Sequence, residues 1–275
     1  CGSHVVGFGE GDMKTLQELY DRGVENGVPG MRIIGQDELR RMEPNISPEA
    51  TASLWAPSAG ITCPYGLTMA AADNAATNGV HFYFNFKVIG ASRAGDVYYI
   101  SNGTDTIAAR YIVNCAGVNS AHVAELLGEN DFPITITPRR GEYIVLDKVC
   151  GNMANSPLFV CPSERGKGIL VSPTVHGNLL IGPNAYPIED GSDKSTTAPG
   201  LEEITTGAHL LMPTVNTRMA ITSFAGVRAT PNTYDFYIKN SEQLPNVVHA
   251  VGVESPGFAS SPATAEYLVG LLEDA

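Results

Sequence analysis

Three stretches of this chain bring together residue types suited to holding an anion or a ring. The first is Val251-Gly252-Val253-Glu254-Ser255-Pro256-Gly257-Phe258-Ala259-Ser260-Ser261-Pro262, a glycine-flanked polar turn that runs into the last helix. The amides and dipole at a helix start stabilise an anionic ligand atom. The second is Phe224-Ala225-Gly226-Val227-Arg228, an apolar strand closed by a guanidinium; Arg139-Arg140-Gly141-Glu142 sets two more at another strand start. Arginine forks suit bidentate capture of carboxylate or phosphate. The third is Ile112-Val113-Asn114-Cys115-Ala116-Gly117, a buried-type strand that ends in small residues before a helix, where backbone can approach a ligand closely. Taken alone, this last segment reads first as a packing turn, Arg228 as a loop tie to Asp235 or Glu254, and Tyr65 as a helix-start core residue.

The elements that must position these residues follow from periodicity and breakers. Strands are expected over His4–Phe8, Met31–Ile34, Ala52–Ala56 and Val80–Phe84, with helices opened by Asp12 and over residues 36–43 and Tyr65–Thr77. A hairpin fits residues 96–109, and the strand ending at Gly117 leads to a helix over Ser120–Leu127 capped by Gly128. From Phe132 to Ala220 the pattern turns to strands joined by turns, with one helix over Leu201–Met212. It returns to α/β with Ile221–Arg228, Asp235–Ile238, Val247–Val253 and a helix over Ser260–Leu272 that takes Pro262 in its first turn. The fold class expected is α/β (α+β overall). One discontinuous α/β domain, 65–128 with 221–275, has the strand ends at Gly117 and Val253 side by side; a mostly antiparallel domain comprises 1–64 with 129–220.

Composition narrows the function classes. Of 275 residues, 17 are Lys or Arg and 29 Asp or Glu, giving a net charge of -12. Such a surface repels phosphate backbones, so nucleic acid is not an expected partner, and a small anionic substrate needs locally gathered arginines. The five cysteines have no C-x-x-C spacing, the six histidines are dispersed, and no metal site is expected. Scattered thiols fit a reducing, cytoplasmic setting. A chain opening at Cys1 reads as a piece of a longer protein, with a processed lipoprotein as the alternative.

Together with Gly60-Ile61-Thr62-Cys63-Pro64-Tyr65 and Pro138-Arg139-Arg140-Gly141-Glu142-Tyr143, these stretches resemble FAD-dependent oxidoreductases of the D-amino-acid oxidase superfamily, in the glycerol-3-phosphate and 2-hydroxyglutarate dehydrogenase branch. The resemblance assigns Ala116, Gly117, Gly226, Gly252, Ser255, Gly257, Phe258, Ala259 and Ser260 to the flavin crevice. It assigns Arg228 to the substrate anion, with Arg140 and Tyr65 as further substrate-side residues, and leaves the catalytic base and the electron acceptor open. It implies hydride transfer from a small hydroxyl-bearing anion, glycerol 3-phosphate first, to FAD. A 2-hydroxyglutarate dehydrogenase, an amino-acid or amine oxidase, and a non-catalytic protein on the same scaffold are the alternatives. The family's G-x-G-x-x-G fingerprint is not found: Gly7-Phe8-Gly9-Glu10-Gly11 lacks the βαβ context and the ribose-binding acid. The chain is therefore expected to lack the first βαβ of the flavin domain and to bind FAD weakly by itself. The parent is expected in the cytoplasm, with peripheral association at the inner membrane face as a further expectation of the resemblance.

Overall fold

The computed structural model describes residues 1–162 and 168–273. In chain order the strands and helices are β1 (Ser3–Gly7), α1 (Glu10–Glu25), β2 (Arg32–Gly35), α2 (Gln36–Met42), β3 (Ala52–Ala56), α3 (Pro64–Thr77), β4 (Gly90–Ala94), β5 (Val97–Ser101), β6 (Thr106–Ala109), β7 (Ile112–Asn114) and α4 (Ser120–Leu127). Then come β8 (Ile136–Leu146), β9 (Leu158–Val160), β10 (Leu170–Pro173), β11 (Leu179–Gly182), β12 (Tyr186–Pro187), α5 (Ala198–Leu211), β13 (Ala220–Pro231), β14 (Tyr237–Asn240), β15 (Val247–Val251) and α6 (Gly257–Glu273). They fall into two compact units. One comprises 1–70, 141–186 and 194–226; the other comprises 71–140, 187–193 and 227–275. The long strands β8 and β13 each run through the boundary, at Arg140–Gly141 and Gly226–Val227.

The first unit is organised on a large mixed sheet in which β1 pairs antiparallel with β3 and parallel with β9, followed by β10, β11 and β8. Alternation along β1 sends neighbouring valines to opposite faces. Val5 packs with Leu16 of α1 and Leu54 of β3. Val6 joins the main core, where Ile204, Ala208 and Leu211 of α5 meet Leu146, Leu158, Val171, Leu179 and Ile181. Turning Leu16, Leu19 and Tyr20 toward the sheet is what the i, i+3, i+4 spacing of α1 achieves. Helix α1 begins at Glu10, ahead of Asp12; the Asp12 carboxylate instead accepts the Phe8 N–H at 2.7 Å, tying down the entry to the helix.

The second unit carries two three-stranded sheets. In one, β15 lies between antiparallel β14 and parallel β7; the other is the meander β4-β5-β6. One of its apolar clusters has Tyr98, Leu127 and Val247 as buried members, and the Tyr98 hydroxyl donates to the Pro245 carbonyl at 2.7 Å. The strand expected at Val80–Phe84 does not form. A strand needs a neighbour to take its backbone groups; here Phe82, Tyr83 and Phe84 stand exposed, with Phe84 at 84%. Helix α6 starts at Gly257, three residues before the expected start, so Pro262 lies inside it rather than in its first turn. The carbonyl that the missing Pro262 amide leaves open, that of Phe258, accepts the Ser261 hydroxyl at 2.9 Å.

Candidate active site: strand ends of the second unit and Arg228

Strands β7 and β15 run parallel with Asn114 opposite His249, so the turns that follow them leave the sheet at the same end. That places Cys115-Ala116-Gly117 beside the turn Gly252–Pro256, as expected from the small residues closing each strand. Ligands of open α/β sheets collect at such carboxyl ends. Gly117 takes φ +57°, and no atom lies within 4 Å of where a Cβ would stand. Glycine is thus favoured by backbone conformation, and the space over it is open to a ligand. Gly252, at φ +69°, answers a different demand: a Cβ there would sit 2.6 Å from Pro231, so glycine lets β15 turn against β13. Pro231, Tyr234, Phe236, Gly252, Glu254 and Ser255 line a cavity of 280 Å³ under this turn.

Helix α6 follows with its first-turn amides pointing back toward the turn, the geometry that favours an anionic atom. The Ser260 hydroxyl is turned onto the Pro256 and Gly257 carbonyls, so Ser260 stabilises the helix start with its own oxygen. Phe258 is 43% exposed and Ala259 is exposed beside it. Gly226 lies on β13 in the first unit, two residues before Arg228, with nothing within 4 Å of a Cβ position.

Arg228 is half-buried on β13, and no hydrogen bond or ion pair of its guanidinium occurs among the described residues. The two acids that could tie it down are engaged elsewhere: Glu254 accepts the Thr230 hydroxyl at 2.8 Å, and Asp235 accepts the Phe236 N–H at 2.7 Å. Arg140 behaves differently. Its guanidinium, 13% exposed, pairs with Asp193 at 2.5 Å, which neutralises the charge expected to face a substrate. Tyr65 opens α3 in the first unit and is 82% exposed.

Beneath the Cys115–Gly117 turn lies a polar cluster that sequence reading missed. His249 is fully buried, its Nε2 2.9 Å from Glu129 and its Nδ1 3.2 Å from the Asn114 amide nitrogen. Glu129 also accepts the Ser241 hydroxyl. The sequence signals one member alone: a histidine set in the apolar run Val247-Val248-His249-Ala250-Val251, buried at all five positions in the structure, needs a polar partner.

Known proteins place this geometry in a family. Residues 1–271 match the family model for FAD dependent oxidoreductases, DAO. The chain is 40% identical over 273 residues to a glycerol 3-phosphate dehydrogenase of Caloramator mitchellensis, covering 99% of this chain and 56% of that protein. It is 31% identical over 200 residues to the mitochondrial L-2-hydroxyglutarate dehydrogenase of Mus musculus, covering 67% of this chain and 42% of that protein. Among solved structures it superposes with a TM-score of 0.90 and 29% identity on FAD-bound L-alpha-glycerophosphate oxidase of Mycoplasma pneumoniae, covering 99% of this chain and 72% of that one. The chain thus spans little more than half the length of that dehydrogenase. It belongs to the DAO family of FAD-dependent oxidoreductases.

Proposed function

We propose that this chain is the larger part of a flavin-dependent dehydrogenase that oxidises glycerol 3-phosphate, with FAD held at the strand ends of the second unit. The observation that carries the substrate class is Arg228: a half-buried guanidinium without an acidic partner among the described residues, in a chain of net charge -12. Leaving a cation unpaired is costly unless an anion arrives to share its hydrogen bonds. The residues of the second unit fit the flavin at Gly117, where open space stands in place of a side chain.

When bound, FAD supplies the acceptor for the hydride leaving the substrate carbon. The chain's own residues do the rest. Arg228 fixes the anionic end of the substrate and thereby the orientation of its C–H. Gly117 lets backbone approach the cofactor, and the start of α6 offers amides to a developing negative charge. The exposed apolar side chains of α6 support the further reading that a segment outside residues 1–275 packs on the second unit. Tyr267 and Val269 are both more than half exposed. On that reading FAD is held weakly by residues 1–275 alone, and the five free thiols suit a reducing compartment.

A 2-hydroxy dicarboxylate is the second reading, favoured by Arg139. It too is half-buried without a partner among the described residues and offers a second cation. The test is kinetic, on the flavin-loaded full-length enzyme. Arg228→Lys keeps the charge and loses the fork, and should raise KM for glycerol 3-phosphate by about 2 kcal/mol in binding, with an unchanged melting temperature. Unchanged kinetics with a lowered melting temperature would make Arg228 a structural residue; a higher kcat/KM for L-2-hydroxyglutarate than for glycerol 3-phosphate would select the second reading.

A further inference from the structure

The cluster under the Cys115–Gly117 turn has a direction. Helix α4 ends at Gly128, which takes φ +111° and lets the chain turn so that Glu129, 3% exposed, points into β15. Glu129 accepts from His249 Nε2 at 2.9 Å. Next, the Asn114 amide nitrogen meets both His249 Nδ1, at 3.2 Å, and the Ser120 carbonyl, at 2.8 Å. Since a carbonyl can only accept, the nitrogen of the Asn114 amide must be the atom on that side. Its second proton then faces Nδ1, so Nδ1 accepts and the imidazole proton sits on Nε2, where the carboxylate takes it. This orientation turns the Asn114 amide oxygen toward the Ala116 N–H, 3.3 Å away. The Ser120 hydroxyl adds a donor to the Gly117 carbonyl at 2.7 Å. Each hydrogen-bonding group in the chain has one compatible role.

We infer that Glu129, through His249 and Asn114, is a positioning residue for the Ala116–Gly117 turn. The inference rests on the placement of the flavin at that turn. Glu129 itself touches neither residue of the turn. It fixes the imidazole tautomer, the tautomer fixes the Asn114 amide, and the amide holds both the Ala116 N–H and the first carbonyl of α4. With the proton on Nδ1, an N–H would face an N–H, Asn114 would have to rotate, and Ala116 and Ser120 would lose their partner together.

The relay is tested in the full chain by long-range proton–nitrogen NMR of His249 and by amide exchange at Ala116. The wild type should carry its imidazole proton on Nε2. Glu129→Ala should redistribute the proton and speed Ala116 exchange about tenfold, the factor of one lost hydrogen bond. Glu129→Gln, whose amide oxygen still accepts from His249 and Ser241, should return exchange to within about twofold of wild type, a rescue that a mere loss of burial would not show. If Glu129→Ala fails to fold, Ser241→Ala removes one donor from the carboxylate while leaving the imidazole, and should move exchange in the same direction by a smaller factor. A proton on Nδ1 in the wild type, or exchange at Ala116 indifferent to residue 129, overturns the relay. FAD titration separates the two claims: faster Ala116 exchange with unchanged flavin affinity upholds the relay and removes the flavin from this turn.

Discussion

The two units of this protein are held together by different means. In the first, a continuous apolar core runs from Val6 and Ile34 through Leu146, Leu179 and Ile181 to Leu211 and Met212, all of them buried. In the second, the described apolar cluster has three buried members, Tyr98, Leu127 and Val247, and a buried polar pair, His249 and Glu129, lies in the same unit. Helix α5 buries Ile204, Ala208 and Leu211 against its sheet, whereas α6, with 17 residues of higher average apolarity, buries only Gly257 among those described. The same physics applies to both helices, so the difference lies in what each has to pack against. Stability concentrates where apolar surface finds a partner, and the candidate site lies in the unit where much of it does not.

The largest effect should come from attacking this asymmetry directly. Leu179→Ala empties a fully buried position between α5 and the sheet and should cost about 2–5 kcal/mol in urea unfolding. Tyr267→Ala, a larger truncation on α6, should change stability by no more than about 0.5 kcal/mol, because that ring is 56% exposed. Equal costs at the two positions would show that the contrast between the units does not exist in solution.

That contrast also decides what could be read in the sequence. The elements of the first unit follow from local patterns: short apolar runs at β1 and β3, helical spacing in α1, and turn residues between β8 and β11. The polar anchors were invisible because each depends on a partner far along the chain. Glu43, read only as the end of a charged helix, is buried and accepts from Asn155 and Ser156, and Arg140 finds Asp193 in a Ser/Asp loop. Val80–Phe84 misled in the opposite way: an aromatic, β-prone run makes no strand without a neighbour. The turns at Gly117 and Gly252 were legible, because small residues close each strand and positive φ favours glycine at both positions. The Glu129–His249–Asn114 relay beneath them was not, since nothing local couples positions 114, 129 and 249.

A smaller effect separates the units by acid. His4 on β1 is buried against Trp55, its ring centroid 4.4 Å from the indole, with Nδ1 bound to Ser53 and Nε2 without a partner among the described residues. Burial lowers its pKa to about 4. The unfolded state, with an ordinary histidine, therefore binds more protons between these values. The contribution of His4 is complete above about pH 6.5 and is lost as pH falls toward 4, by about 3 kcal/mol at most. Glu43, whose carboxyl burial pushes up, gives the opposite slope, so the difference between wild type and His4→Phe isolates the histidine. Unfolding free energy measured from pH 7.5 to 4 should fall less steeply in His4→Phe. Parallel curves would mean that the imidazole is hydrated or paired in the folded state.

The smallest change in stability is the most informative about function. Gly226 ends the first unit's share of β13 with no atom within 4 Å of a Cβ and a backbone that does not need glycine. A methyl group should therefore be accommodated, and Gly226→Ala should leave the melting temperature within about 2 °C, as expected for a shift of no more than about 0.5 kcal/mol. If that open space is where the flavin comes, the same methyl should intrude on the cofactor and weaken its affinity in the full-length enzyme by tenfold or more, roughly the cost of one displaced close contact. Gly252→Ala serves as the contrasting variant: its Cβ would meet Pro231 at 2.6 Å and its backbone would be strained at φ +69°, so it should lose stability and ligand together. Gly226→Ala with native stability and native flavin affinity would show that the space beside β13 faces solvent, and would move the cofactor away from Arg228.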